Sequence, residues 1–436
     1  MLLIYSEKIT PRLQYITHLL FDELYGAGVT LTDRKDELLS AAGPAINYSV
    51  EEMPAGLQIR PSGLLAEKEV FEMKVPLTVT GELPYLFPDP EGPFPFDVFS
   101  ASFFMVTRYE EYLSTIKDKF GRYKLSESIA KTGGFYHLPV VNLWAAALVS
   151  RLLEKYPSLE LKPRSYCYIP TIDIDHAYAF RCRPIWRTMG GIGRSVSHAH
   201  LSNVSDRLMV LSGFRKDPFD TYDYFLSYYK KLKLVPWVFM LYADYGGHDN
   251  NVTLRCPAFR DLLARLGEES RIGIHPSIAS AHSVRRLERE YHGLSAATSR
   301  EITGSRQHFL KFSFPNTFRR LISLGITDDF SMGFSAEPGF RAGIATPFRF
   351  FDLFRDEIMP LTIHPVTIMD VIFRDHLHLS PENSIVRMKQ LIDVVRSVNG
   401  ECVTLWHNES LTGKGRWEGW DRVFEETTAY AAGITR

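Results

Sequence analysis

Only four of the 436 residues are cysteine, and Cys167, Cys182, Cys256 and Cys402 lie far apart with no CxxC spacing. A disulfide framework is therefore not expected. Cys167 and Cys402 fall in apolar, strand-like runs, where a buried thiol is the default. Neither sign of charge is in excess: 50 Lys plus Arg face 51 Asp plus Glu. This balance gives no support for nucleic-acid or polyanion binding, and the pairs Arg285–Arg286 and Arg319–Arg320 read as solvated helix faces. No apolar run reaches the roughly 18–20 residues of a membrane helix. The opening MLLIYSEKIT lacks a basic region followed by a long apolar stretch. It reads as a first strand and not as a signal peptide, so a cytoplasmic protein is expected. There is no internal repeat or low-complexity tract. The lone Gly-rich turn at 190–193 lacks the strand context of a dinucleotide site, and the nearby His198 and His200 read as an incidental pair.

What is present is long enough for two domains. Residues 1–164 read as a smaller α/β unit. It has a strand at 2–5, a helix at 12–24, a proline-rich stretch at 87–96 and helices at 98–113 and 139–155. Phe103, Tyr109 and Tyr112 read as core, and this half offers no catalytic constellation. Residues 165–436 alternate short apolar strands with amphipathic helices, the pattern of an α/β fold with a parallel sheet. Strands are expected at 166–174, 235–242, 271–274, 304–308, 361–364 and 402–406. Helices are expected at 221–231, 257–266, 283–291, 316–324 and 381–398. About 270 residues of this alternation suit a (β/α) barrel.

The strand ends carry chemistry. The first closes on Asp173 and Asp175, two residues apart and hence on one face. Charge at the end of a buried strand is costly unless it is paired or bound to metal. His275, Arg306 with His308, His364 and His407 end later strands. Barrel enzymes gather their catalytic groups at these ends, so residues remote in sequence are expected to share one mouth. The 242–251 stretch, YADYGGHDNN, reads as a rim loop, with His248 and Asp249 as substrate contacts.

At these residues the chain resembles the NodB-type polysaccharide deacetylases, in the divergent bacterial branch that carries an extra N-terminal domain. Thr171-Ile172-Asp173-Ile174-Asp175 is similar to the family's first motif, His275-Pro276-Ser277 to the start of its second, Arg306-Gln307-His308-Phe309 to its third, and Leu405-Trp406-His407 to its last. The stretches 329–341 and 347–353 also look like this branch. The resemblance implies an incomplete (β/α) barrel over 165–436 and a metal-dependent hydrolase that removes N-acetyl groups from an N-acetylated sugar, polysaccharide or glycan precursor. It implies Asp173 as general base, Arg306 as the group orienting it, His407 as general acid, and Asp175 and His275 as metal ligands. The chain departs from the second motif at Ala279, where the family has its second ligand histidine. His308, ending the next strand, is expected to take that place. The ion implied is one divalent metal, zinc first, with cobalt, nickel or manganese as alternatives. Arg341, between glycines that allow close backbone approach, reads as a contact to base or substrate or else as a structural ion pair, and Trp406 as a ring that stacks on a sugar or, as is commoner for Trp in an apolar strand, as core. Two other readings stay open: a same-fold hydrolase of a non-sugar amide, and a degenerate glycan-binding protein.

Overall fold

Among the described residues, short β-rich runs alternating with amphipathic stretches form three sheets, of which the largest is almost wholly parallel. The structure is a computed structural model. It describes residues 1–79, 83–183, 201–244, 246–247, 249, 251–252 and 254–434. β1 (Leu2–Ser6), β2 (Val29–Thr32), β3 (Ala45–Tyr48) and β4 (Leu57–Gln58) make a parallel sheet in the order β2-β1-β3-β4. β5 (Leu77–Thr78) and β6 (Tyr85–Leu86) pair antiparallel.

Among the described residues, nine further strands form one sheet. They are β7 (Cys167–Ile174), β8 (Trp237–Met240), β9 (Arg271–Ile274), β10 (Gly304–Ser305), β11 (Asp328–Asp329), β12 (Phe348–Asp352), β13 (Glu357–Ile363), β14 (Val366–Met369) and β15 (Glu401–His407). Their order is β12-β13-β11-β10-β9-β8-β7-β15-β14. Only β12 and β13 run antiparallel. The sheet keeps two edges, β12 and β14, so it is not closed by hydrogen bonds. It is nevertheless curled. His364 hydrogen-bonds both Asp328 on β11 and Glu401 on β15, strands five spacings apart, roughly 24 Å if the sheet were flat. The mixed α/β class and half-barrel shape agree with expectation.

Most expected elements form within a few residues of their predicted bounds. The exceptions have local causes. The stretch 98–113 breaks into Val98–Val106 and Tyr109–Leu113 because Arg108 adopts a left-handed conformation (φ 55°). This points its buried guanidinium at Glu110 and Glu111. β11, β12 and β14 were not anticipated: β11 has two residues, and β14 lies behind the His364-Pro365 dipeptide, which masks its apolar run.

The cysteine expectation is corrected. Cys182 and Cys256 form a disulfide, 74 residues apart in sequence, and Cys167 is exposed, leaving Cys402 as the buried thiol. β7 and β8 are neighbours, so the loops that follow them meet, which separation in sequence conceals. Disulfides are uncommon in the reducing cytosol, which runs against the cytoplasmic expectation. Apolar packing continues across the expected domain boundary: Phe351 on β12 packs against Tyr15 and Phe103, with ring centroids 5.0 and 5.2 Å apart. Among the described residues, no helix is long and apolar enough to cross a membrane.

Candidate active site

The ends of β7, β9, β10 and β15 converge on a cavity of about 250 Å³. Asp173 on β7 is cross-strand partner to His407 on β15 and to Phe239 on β8. Asp173 Oδ1 accepts a 2.7 Å hydrogen bond from Arg306 Nη1, which also donates to Thr171 Oγ1 at 2.7 Å. Arg306 Nε donates to the Phe330 carbonyl at 2.9 Å, and its guanidinium carbon lies 4.5 Å from the Phe239 ring centre. Gly273 makes room for that ring, since a Cβ there would come within 2.5 Å of it. Burial pulls the Arg306 pKa down while Asp173 pulls it up; a guanidinium titrates so high that the pair stays ionic.

Three further groups face one point. The Arg306 carbonyl can only accept, so His275 Nδ1 carries a proton and donates to it at 2.5 Å. His308 Nδ1 donates to the Asp249 carboxylate at 3.0 Å. Both rings thereby turn Nε2 towards Asp175. His275 Nε2 is 3.2 Å from Asp175 Oδ1, and His308 Nε2 is 3.5 Å from Oδ2. One ligand atom from each of the three lies within 4.8 Å of the others. Among the described residues, Asp175 Oδ1 is buried with no hydrogen bond.

Converging lone pairs repel unless a cation or proton lies between them, and two imidazoles with a carboxylate are the donor set that zinc-class ions take. Burial disfavours a charged His308, but Asp175 and Asp249 override it and lift its pKa to about 9. The residues present therefore fit a divalent ion, which Asp175, His275 and His308 would hold.

Ala279 contributes backbone only: its N–H and that of Ile278 donate to Asp249. Asp249 is thus not aimed at substrate; it orients His308, the carboxylate–histidine arrangement common at metal sites. On the other side, Asp370 accepts from His407 Nδ1 and from the His407 backbone N–H, each at 2.8 Å, and from Ser410 Oγ. Burial opposes protonation of His407, yet Asp370 prevails and raises its pKa to about 10. His407 Nε2 lies 3.9 Å from Asp175 Oδ2. The sequence reading missed Asp370. The signal was there, since an apolar run over Val366–Met369 ends in Asp as β7 does, but β14 had not been recognised.

Two of the candidate substrate contacts, Trp406 and Arg341, are structural, one is not described, and His364 lies away from the mouth. Trp406 is fully buried against Trp420 and Phe424. Alternation along β15 turns it away from the face that carries His407. Arg341 is buried in an ion pair with Glu111. His248 lies outside the described residues. His364 is clamped between Asp328 and Glu401 (3.0 and 2.6 Å) and stacks on Phe330. Glu401 opens β15 and His407 closes it, about 20 Å apart along an extended strand, so His364 is not at the mouth.

Burial disfavours charge on His364, and its two carboxylates outweigh that, raising its pKa from 6.5 to about 9. Because the folded value is the higher one, the stabilisation is fully present below about pH 6.5 and is lost as pH rises through about 9. A shift of this size corresponds to roughly 3 kcal/mol. Denaturant midpoints taken across that window should fall by this amount in the wild type. They should fall much less in His364→Gln; equal slopes would show that the clamp contributes no linkage.

One protein-family description matches the chain, a family of unknown function (DUF7033), over residues 2–157. No curated protein is matched. Among solved structures, the chain is similar to a protein assigned as a polysaccharide deacetylase from Mycobacterium smegmatis, at 13% identity and a TM-score of 0.41, covering 62% of this chain and 85% of that one. A protein assigned likewise from Pseudomonas aeruginosa PAO1 gives 12% identity and a TM-score of 0.38, covering 59% and 83%. A CE4 family pseudoenzyme from Bacillus anthracis gives 11% and 0.27, covering 61% and 62%. Likenesses at this level leave the chemistry of the site to its own geometry.

Proposed function

We propose that the protein is a metal-dependent hydrolase that removes N-acetyl groups from an N-acetylated sugar, polysaccharide or glycan precursor. Residues 165–436 are then the catalytic barrel and residues 1–164 an accessory unit. The observation that carries this reading is the convergence of Asp175, His275 and His308 on one point, with the Asp173–Arg306 pair and the His407–Asp370 pair beside it. A zinc-class ion held there would polarise the acetyl carbonyl and acidify a water.

The chain's own groups divide the proton work. Asp173, hydrogen-bonded to Arg306, takes the proton of the attacking water. Its other oxygen, Oδ2, is 3.8 Å from His275 Nε2, so the base stands beside the ligand set. His407 is charged because Asp370 holds its Nδ1–H, and it presents Nε2–H to the departing amine. Cross-strand pairing sets Asp173 beside His407, which supports their working as base and acid on one acyl carbon. Three groups that carry positive charge, Arg306, His308 and His407, meet four carboxylates, Asp173, Asp175, Asp249 and Asp370. That charge pattern suits a site that holds a divalent ion better than one that only binds a neutral glycan.

Elemental analysis tests the reading. Purified wild-type protein should hold about one zinc-class ion per chain, and both Asp175→Ala and His308→Ala should lose it. Retention of the ion in His308→Ala would return His308 to a supporting role. A wild-type protein that binds no ion after reconstitution would sink the hydrolytic mechanism.

A further inference from the structure

The cavity is not built by the barrel alone. Phe120 and Arg122, from the part of the chain matched by the family of unknown function, line it together with Asp173, Asp175, His308 and His407. They sit on a hairpin tip, residues 117–123, closed by the Lys117–Tyr123 bridge. Asp118 fixes the turn: its Oδ1 accepts from the Phe120 and Arg122 backbone N–H groups, both at 2.9 Å, and its Oδ2 accepts from Arg122 Nε at 2.7 Å. The tip is docked on the barrel. Arg122 Nη1 donates to the Phe309 carbonyl at 3.1 Å, and the Phe120 and Phe309 rings lie 5.1 Å apart. The hairpin's base, Tyr123, rests against the buried guanidiniums of Arg108 and Arg341.

The barrel loop beneath is strained. Phe309 and Leu310, directly after His308, both have left-handed backbones, φ 61° and 51°. For bulky residues such backbones cost of order 1–3 kcal/mol each and persist only where the surroundings impose them. The hairpin is part of those surroundings, so it is a fixed wall and not a loop lying by chance over the mouth. The cavity volume of about 250 Å³ falls below the roughly 300–1,000 Å³ usual for drug-sized ligands. Walled on one side by the hairpin, it matches one small ring and its acyl group.

We infer that the 117–123 hairpin walls the substrate site and makes this an end-acting enzyme, one that takes a single N-acylated sugar, free or at a chain terminus, with Phe120 packing against it. This rests on the deacetylase reading above. Binding to chelator-stripped protein tests it without turnover, using N-acetylglucosamine and a chitin hexamer as probes in calorimetry. Only the terminal ring enters, so both probes should bind with similar affinity. Phe120→Ala should weaken both by about tenfold at a temperature where the variant remains folded, and Phe120→Tyr, which keeps the ring, should restore them. Affinity that climbs with chain length, no binding of either probe, or indifference to Phe120→Ala would overturn the inference. Failure of the deacetylase reading is a separate result: no acetate released from any probe by the zinc-loaded protein.

Discussion

Replacing Asp173 with asparagine should lower kcat/KM by about 10²–10⁴-fold and also cost about 3–5 kcal/mol of stability. The two losses have different origins. The first is loss of the base: an amide takes no proton from water, while Asp175, His275 and His308 are untouched, so bound metal should be retained. The second comes from Arg306, which is fully buried and has Asp173 as its hydrogen-bonded carboxylate. Asparagine still accepts a hydrogen bond but leaves the guanidinium's charge uncompensated between Phe239 and Phe330. Asp329 stands close by. Burial raises its pKa to about 6, with Ser305, Ser331 and Arg306 pulling it back, so it offsets part of the loss above that pH. The double variant Asp173→Asn/Arg306→Met separates the two effects. Stability should recover while activity stays low. Unchanged turnover in Asp173→Asn, with metal still bound, would remove Asp173 from the role of base.

The groups legible in the sequence share one property: each is a charged or titratable residue at the end of a buried apolar run. Asp173, Asp175, His275, Arg306, His308 and His407 were visible because such residues recur at successive strand ends, and the parallel order of strands brings them together. What stayed hidden depends on contacts between distant segments. Asp249 was seen as a rim residue, but its partner, His308, is 59 positions away. His364 looked like the others and is not, because the end of a strand does not say which end of a curled sheet it reaches. β13 is prolonged by its antiparallel pairing with β12, and the histidine that follows it meets the start of β15. Arg341, flanked by glycines, read as a residue brought close to substrate. The glycines instead let the chain pack tightly: Gly343 has φ 66°, and a Cβ there would come within 3.0 Å of Met105.

Glu111→Gln should destabilise the protein by about 3–5 kcal/mol, the largest effect expected from a change outside the site. Glu111 and Arg341 are each almost fully buried and joined twice, Nε to Oε1 at 2.9 Å and Nη2 to Oε2 at 2.6 Å. Arg108 adds a third contact to Glu111 at 2.8 Å and has Glu110 as a second partner. Arg341 has no such reserve in this network: its other hydrogen bond goes to the Gly333 carbonyl, and its guanidinium lies 4.2 Å from the Phe312 ring centre. Glutamine at 111 therefore strands the charge of Arg341, whereas Glu111→Gln with Arg341→Met removes both members and should recover most of the loss. The pH dependence gives a second readout. Burial pushes the Glu111 carboxyl up, but Arg341 and Arg108 overcome it and hold the pKa down at about 2. Because the folded value is the lower one, the stabilisation is present above the unfolded value of 4.5 and is lost as pH falls through about 2. Wild-type denaturant midpoints should drop across that acid window more steeply than those of Glu111→Gln. Parallel curves would mean that the network carries no net stability. Since Arg108 and Arg341 also support Tyr123 at the hairpin's base, the same substitution should loosen the wall that Phe120 presents to the cavity. Weaker sugar binding in Glu111→Gln, at a temperature where it remains folded, would tie the seam between the two halves of the chain to the site.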